Sequence, residues 1–186
     1  MLEKMPKNSL VKLVEFFRRS GQLKKVPRSG WRRVGVKSPE SVADHTFRTA
    51  LFCMIFSSLE GLDELKMLQM AIIHDLPEAV IGDLTPSEKA KANKKSEENA
   101  MRSLLAFLPK EVQGKYVEVW REYASGDTVE ARAVRQLEKL EMALQAREYE
   151  EIRVAKESLE VFIKSAEETI SSSVIKTLFS CVLESV

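Results

Sequence analysis

Histidine is scarce in this chain, and both copies stand where they could take part in chemistry. The two imidazoles among 186 residues are His45 and His74, and Asp75 follows His74 directly. Glu78 and Asp83 extend the pair into a ten-residue run, HDLPEAVIGD, with one imidazole and three carboxylates. A buried structural histidine and a solvated acidic face are the simplest interpretations. The acids have apolar neighbours, however, and such carboxylates are costly to keep charged without a cation, which favours a metal site.

The types of the candidate ligands limit the metal. Imidazole with carboxylate suits Mn, Fe, Co, Ni or Zn, whereas carboxylates alone suit Mg. Two histidines rule out zinc sites of the three-His kind. Cys53 and Cys181 form no CxxC pair, so they predict neither a zinc finger nor a redox motif. His45, His74 and one acid from a later helix would leave coordination positions for water and substrate, as metal-assisted hydrolysis requires.

A basic segment precedes both histidines. Residues 22–39, QLKKVPRSGWRRVGVKSP, hold six Lys or Arg and no acid. Arginine can grip phosphate oxygens in a fork, and Trp31 could stack on a base or a sugar. A solvated basic loop, with Trp31 as a plug in the core, is the alternative. The segment's Pro and Gly residues predict an ordered loop or irregular arm.

Helices must position these residues, because apolar side chains recur at helical spacing and no alternating strand or repeat occurs. Helices are predicted over about 8–21, 41–61, 63–75, 87–108, 110–124, from 127 onward, 155–170 and 174–183. The predicted caps are Asn8 or Ser9, a Ser41–Asp44 box, Asp63, and an Asp127–Glu130 box. If helix continued through Pro77, Glu78 would share a face with His74.

The predicted fold is therefore all-α, one compact bundle of about six to nine helices. The chain fits a single domain over 1–186, with 22–39 as the basic arm and 171–186 as a C-terminal helix. Lys and Arg number 29 against 28 Asp and Glu, and a net charge of +1 argues against a general nucleic-acid coat protein. No signal-peptide core or long apolar run occurs, which predicts no membrane partner and a cytoplasmic location.

His45, the His74–Asp75 pair and a late acid resemble the H…HD…D signature of the HD superfamily of metal-dependent phosphohydrolases. The likeness extends to KKVPRSGWRRVGVKSPESVADHTFRTA, HDLPEAVIGDLTPSEK, EENAMRSLLAFLP and QLEKLEMALQAREYE, and covers roughly residues 8–165. Within the superfamily, these segments resemble the YfbR-like 5′-deoxynucleotidases and the HD-domain-containing protein 2 group. The scattered histidine motif is weak alone, and the arm and the late helix make the likeness specific.

The resemblance implies an HD-domain bundle in which four side chains bind a divalent cation of uncertain identity (Mn, Co, Fe, Ni, Zn or Mg): His45, His74, Asp75 and Glu138. The family usually has Asp at the last position, so Glu138 is a departure that adds one methylene. The longer stem implies that the helix sits further back, or that metal affinity and preference change.

The resemblance also implies that Glu78 and Asp83 are the catalytic acids and could hold a second divalent cation, Mg²⁺. A metal lowers the pKa of a bound water, which would attack phosphorus in line with the departing 5′ oxygen. Glu78 or Asp83 would position this water or handle its proton. The products would be a nucleoside and orthophosphate. No Gly-rich phosphate loop occurs, which disfavours kinase and dehydrogenase chemistry.

In the arm, Trp31 matches a family residue near the substrate. Some relatives carry Arg directly before this Trp, but the chain has Gly30 there, so the phosphate contact would come from Arg28, Arg32 or elsewhere. The implied partner is a deoxynucleoside monophosphate and not a nucleic-acid polymer.

The resemblance implies a homodimer, whose interface the apolar helix 174–183 could supply, although that face could equally complete the core. Two other functions remain open. The protein could hydrolyse another phosphate ester. It could also be a nucleotide-sensing module that binds metal without turnover, an alternative that the departure at Glu138 supports.

Overall fold

The described part of the chain is built from helices. The structure, a computed structural model, describes residues 3, 5–85, 88 and 94–184. The α-helices are α1 Lys7–Ser20, α2 Ser29–Arg33, α3 Val42–Glu60, α4 Glu64–Ile73, α5 Glu78–Ile81, α6 Lys94–Leu105, α7 Lys110–Ser125, α8 Val129–Glu151, α9 Lys156–Thr169 and α10 Ser173–Glu184. A 3₁₀ helix, Gly21–Lys25, follows α1. Within these residues only an isolated bridge, Pro27 to Ser41, is of β type, which confirms the all-α class.

Two predicted caps begin the helices that lead to the histidines. The Ser41 hydroxyl accepts a hydrogen bond from the Asp44 amide, and the Asp44 carboxylate accepts one from the Ser41 amide. This capping box begins α3 and confirms the prediction. Asp63 accepts from the Lys66 amide at the start of α4, also as predicted.

Two other predicted caps are wrong by one or two residues. Helix α8 is capped by Thr128, whose hydroxyl accepts from the Ala131 amide, and not by Asp127. Helix α1 already begins at Lys7 after Pro6, without a side-chain cap, so the predicted Asn8 or Ser9 lies inside it. Thr and Asp are both favourable N-cap residues, which explains the one-residue shift at α8. Helix α1 directly follows Pro6, whose ring fixes φ at −58°.

Helix α8 runs through the centre of the fold. It packs against α3, α4, α7, α9 and α10. Its buried side chains include Val134, Leu137 and Leu140, and each such leucine stabilises the fold by about 1.5–3 kcal/mol. Helix α8 therefore carries the late acidic residues into the interior, beside the helices that carry the histidines.

The basic arm is tied to the start of α3. The Arg28 amide donates to the Glu40 carbonyl at 3.0 Å, and the Val42 amide donates to the Val26 carbonyl at 2.9 Å. The predicted irregular arm is thus ordered, and it contains the short helix α2. The predicted helix 87–108 is observed in part as α6, which ends at Leu105, and residues 86, 87 and 89–93 lie outside the described part.

The number and the character of the described helices can both be compared with the predictions. Eight of the helices have ten or more residues, and this number lies within the predicted six to nine helices. None of the helices in the described ranges combines the length and apolar character of a membrane-spanning segment.

Candidate metal centre

His45 lies in the first turn of α3 and is fully buried. Its Nδ1 contacts the Glu141 carboxylate of α8, and its Nε2 has no hydrogen-bond partner in the described structure. Burial and the nearby Arg28 guanidinium lower the pKa of His45, although Glu141 acts in the opposite direction. A neutral imidazole that gives its Nδ1 proton to Glu141 carries its lone pair on Nε2, which is the form that binds a metal.

His74 lies immediately after α4, in the turn that leads to α5. Its Nδ1 donates to the Ala71 carbonyl at 2.7 Å, and because a carbonyl only accepts, this nitrogen carries a proton. Its buried Nε2 lies 3.1 Å from Asp75 Oδ2 without hydrogen-bond geometry. Burial opposes the charged form of His74, but the Asp75 carboxylate outweighs it and raises the pKa of His74 to about 9. A bound cation would replace that proton.

Asp75 is the point on which the imidazoles converge. Its Oδ2 lies 4.0 Å from His45 Nε2 and 3.1 Å from His74 Nε2, and the three donor atoms lie within 4.8 Å of one another. Burial raises the pKa of Asp75, but His74 and Arg28 outweigh this and hold it well below its usual value. Two buried imidazole nitrogens and an ionised carboxylate are a donor set for Mn, Fe, Co, Ni or Zn, so the residues fit a divalent cation.

The break after α4 corrects one prediction. Helix was expected to run to about Asp75, with either a fresh helical turn at Pro77 or, if the helix continued through Pro77, Glu78 on the same face as His74. Instead α4 ends at Ile73, residues 74–77 form a turn, and α5 begins at Glu78. Pro77 has no amide hydrogen to extend the α4 ladder, which explains the break. The turn places both His74 and Asp75 directly after the carboxyl end of α4.

Glu138 on α8 lies beside the three converging ligands but outside their cluster. Its Oε2 accepts from the Tyr123 hydroxyl at 2.6 Å, and its Oε1 lies 3.4 Å from Lys139 Nζ. Burial raises the pKa of Glu138, but Lys139 and His74 outweigh this and lower it to about 2, so the carboxylate is ionised. Its role as a fourth ligand stays a prediction.

The two predicted catalytic acids face different cavities. Glu78 is 3% exposed and lines a cavity of about 210 Å³ with Tyr123. Asp83 lines a second cavity of about 720 Å³, and its Oδ2 accepts from the Ser29 amide at 2.6 Å. Asp75 and Glu138 line both cavities, so the candidate metal centre lies between them.

The structure distinguishes the two predicted phosphate-binding arginines. Arg28 Nη1 lies 3.2 Å from Asp75 Oδ2 and 3.8 Å from Asp83 Oδ1, and Arg28 lines the larger cavity. Arg32 is exposed and does not belong to that lining. Arg33 lines the cavity and pairs with Glu88 at 2.8 Å. Of the two predicted residues, only Arg28 lies beside Asp75 and lines the larger cavity, and its contact with phosphate stays a prediction.

Trp31 forms part of the cavity wall but is 1% exposed. Its ring packs on Phe162 with centroids 3.8 Å apart, and its Nε1 donates to Glu40 Oε1 at 2.9 Å. This burial favours the core-plug alternative, and stacking on substrate stays a prediction. A Cβ at Gly30 would lie 3.0 Å from the Phe162 ring, so a larger residue at this position would require Phe162 to move.

Three residues that support the candidate ligands were missed from the sequence: Glu141, which contacts His45, Tyr123, which donates to Glu138, and Arg48, whose Nε donates to Glu141 Oε1 at 2.9 Å. Glu141 had a readable signal, since it follows Glu138 by three residues and so shares its helix face. Arg48 likewise follows His45 by three residues on α3. Tyr123 had none, because α7 meets α8 only through the tertiary fold.

We expect divalent metal to stabilise the folded protein, because the three donor atoms already converge. At a metal concentration of 100 times Kd, binding adds about 2.7 kcal/mol. For a chain of this length, that free energy raises the Tm by about 5–10 °C. Scanning fluorimetry with Mn²⁺, Co²⁺ and Ni²⁺ measures the shift, and EDTA should reverse it. A Tm that responds to none of these ions would contradict the metal centre.

Three comparisons relate this chain to known proteins. A family model described as "HD domain" matches residues 20–178. The chain is 37% identical over 170 residues to 5′-deoxynucleotidase HDDC2 of Bos taurus, covering 90% of this chain and 82% of that protein. It is 39% identical over 146 residues to the Dictyostelium discoideum protein of that name, covering 74% and 77%. It resembles the crystal structure of PH0347 protein from Pyrococcus horikoshii OT3, with TM-score 0.76, 34% identity, and 92% and 96% coverage.

Proposed function

Because the chain belongs to the HD domain family, we propose that it is a divalent-metal-dependent phosphohydrolase that removes the 5′ phosphate from deoxyribonucleoside monophosphates. One observation carries the proposal. The Nε2 atoms of His45 and His74 converge with Asp75 in the interior, beside a cavity that also presents Arg28. The curated relatives named 5′-deoxynucleotidase support the choice of substrate.

The centre would divide the work of phosphate-ester hydrolysis among its parts. A divalent cation held by His45, His74 and Asp75 would supply Lewis acidity toward a phosphoryl oxygen and would acidify water. Arg28 would bind the phosphate, because its guanidinium faces the larger cavity beside Asp75. The arginine would thereby offset the repulsion between a dianionic phosphate and the surrounding carboxylates.

The two acids would have different roles, proton transfer for Glu78 and orientation for Asp83. Water forms a new bond to phosphorus while the bond from phosphorus to the 5′ oxygen breaks, and one proton passes from the water to that oxygen. Glu78, at the smaller cavity, would hold the attacking water, take its proton and return it to the departing 5′ oxygen. Asp83 lies at the larger cavity and is hydrogen-bonded to the Ser29 amide. It would orient Arg28 and the leaving group of the substrate.

Phosphate release tests the function directly. Purified protein with Mn²⁺, Co²⁺ or Mg²⁺ is given dAMP, dGMP, TMP and the matching ribonucleotides, and orthophosphate is measured. We expect release that depends on metal and is faster for the deoxy substrates. Metal binding without any phosphate release would support a sensing module instead. Equal rates on AMP and dAMP would remove the deoxy preference, and release only from another phosphate ester would change the substrate class.

We expect the two arm arginines to differ in their effect. Arg28→Ala should lower kcat/KM by about 10- to 100-fold, mainly through KM, because a charged hydrogen bond is worth about 1.5–3 kcal/mol. Arg32→Ala is the matched control, since this exposed side chain lies outside the cavity lining, and its kinetics should stay unchanged. Steady-state phosphate release measures both variants. An Arg32 effect as large as that of Arg28 would contradict the assignment.

The proposed homodimer has a candidate surface on α3. Apolar side chains at helical spacing are exposed there, from Phe47, 71% exposed, to Leu59, 77% exposed. A stripe of this kind suits a two-fold interface that repeats the same patch on both subunits. On α10, Ile175 and Phe179 are buried in the core, so the last helix is at least partly used within the subunit. Light scattering should give a dimer for the native chain and a monomer for Phe47→Glu.

A cytoplasmic location is proposed from the thiols. Cys53 and Cys181 are both free, and free thiols suit a reducing compartment. Cell fractionation tests this location.

A further inference from the structure

Arg48 and Glu141 form an ion pair directly behind His45. Glu141 is fully buried, and its Oε2 contacts His45 Nδ1. Its Oε1 accepts a hydrogen bond from Arg48 Nε at 2.9 Å. A carboxylate at this depth is costly to ionise without compensating partners, so Arg48 keeps the charged form of Glu141 in place against His45.

Arg48 is itself held by the same face of α8. Its Nη2 donates to Gln145 Oε1 and its Nη1 to Glu148 Oε1, each at 2.6 Å. Glu141, Gln145 and Glu148 follow one another at spacings of four and three residues, which align on one side of a helix. The rigid guanidinium fork therefore connects α3 to three positions on α8. Arg48 lies one turn beyond His45, so this connection sets the distance between His45 and Glu141.

Neither charged residue reaches the substrate. Among the described residues that line the two cavities at the metal centre, Arg48 and Glu141 are both missing. The charges that face His45 from the other elements are Asp75 after α4, Arg28 before α2 and Glu40 before α3, whose carboxylate lies within 4.8 Å of the ligand atoms of His45 and Glu141. The ion pair thus acts on the side of the imidazole that faces away from the candidate metal.

We propose that Glu141 and Arg48 are positioning residues that hold the Nδ1 proton of His45 and direct its Nε2 lone pair at the metal. The inference rests on the proposed metal centre. A carboxylate that accepts from the remote nitrogen of a histidine fixes its tautomer and its ring orientation, and makes the metal-facing nitrogen a better donor. The guanidinium of Arg48 supplies the countercharge that lets this carboxylate remain ionised in the interior.

Glu141→Gln tests the proposal with almost unchanged shape. The amide loses the charge, and its NH₂ group can donate to Nδ1 and so move the ring proton to Nε2, where it blocks metal binding. We expect Co²⁺ to bind about 10- to 100-fold more weakly. Competition with a chromophoric chelator measures Kd, and the visible Co²⁺ spectrum reports the ligand set. Circular dichroism of the metal-free variant confirms folding.

Glu148→Gln is the matched control, because Glu148 accepts a hydrogen bond from the same Arg48 guanidinium but does not contact His45. It should bind Co²⁺ like the native chain. Arg48→Lys keeps the charge but loses the fork, and should weaken binding by an intermediate factor. Should Glu141→Gln not fold, Arg48→Lys against Glu148→Gln carries the test.

Two results would overturn the proposal. The first is a folded Glu141→Gln variant that binds Co²⁺ with the native Kd and the native visible spectrum. If that variant does not fold, the same result for Arg48→Lys would overturn the proposal. The other is a Glu148→Gln loss as large as that of Glu141→Gln, since this would reflect only the docking of α3 on α8. The proposed function fails separately, if the native chain binds Co²⁺ but releases no phosphate.

Discussion

Asp75→Asn should abolish metal binding at micromolar concentrations and lower kcat/KM by about a thousandfold, equivalent to about 4 kcal/mol. The substitution keeps the shape of the side chain but removes the charge on which the two imidazoles converge. An amide oxygen is a much weaker partner for a divalent cation than a carboxylate. Isothermal titration with Mn²⁺ and phosphate release from dAMP measure the two effects.

The same variant should show a second sign of the lost charge. Asp75 contributes more than Glu138 or the Ala71 carbonyl to the raised pKa of His74, so Asp75→Asn should lower that pKa. Nuclear magnetic resonance of the metal-free protein follows this titration. Asp127→Asn, an exposed aspartate before α8, is the control and should leave metal binding and turnover unchanged. Native metal affinity in Asp75→Asn would contradict the assignment of Asp75 as a ligand.

Glu78→Gln should lower turnover by about 10²- to 10⁴-fold while the protein still binds its metal. Glu78 is 3% exposed at the start of α5, and it shares the smaller cavity with Asp75 and His74. The amide occupies the same space but cannot take a proton from water. The drop should appear in kcat more than in KM, because the lost interaction belongs to the transition state.

The control for this second prediction is a surface acid. Glu98→Gln removes a carboxylate that pairs with Arg102 and Arg121 on the outside of the fold, and its turnover should stay native. If Glu78→Gln lost its metal together with its activity, Glu78 would be a ligand and not the proton acceptor. If it kept full activity, the proton would have to pass to Asp83 or another group.

The local parts of the fold were predictable because their causes lie close together in the chain. The Ser41–Asp44 box needs only residues three apart, and it sets where α3 begins and hence where His45 points. The break at Pro77 was harder, since proline is compatible with the first turn of a new helix as well as with the end of an old one. The structure shows the second helix starting at Glu78.

The non-local parts of the site were not predictable from spacing. Arg28 and Arg32 look alike in the sequence, and only the docking of the arm onto Asp75 and Asp83 separates them. Tyr123 reaches Glu138 from a different helix, so no motif could connect the two. The histidines could be identified because the chain has only two of them, and Asp75 because it directly follows His74.

The turn after α4 has an electrostatic consequence of its own. The peptide dipoles of α4 align along its axis and leave roughly half a negative charge at its carboxyl end. His74 and Asp75 are the next two residues, so a cation bound to them would stand at that end of the helix. The backbone of α4 would thus attract the metal before any side chain is counted. A helix unbroken at residue 74 would carry its negative end away from the two ligands.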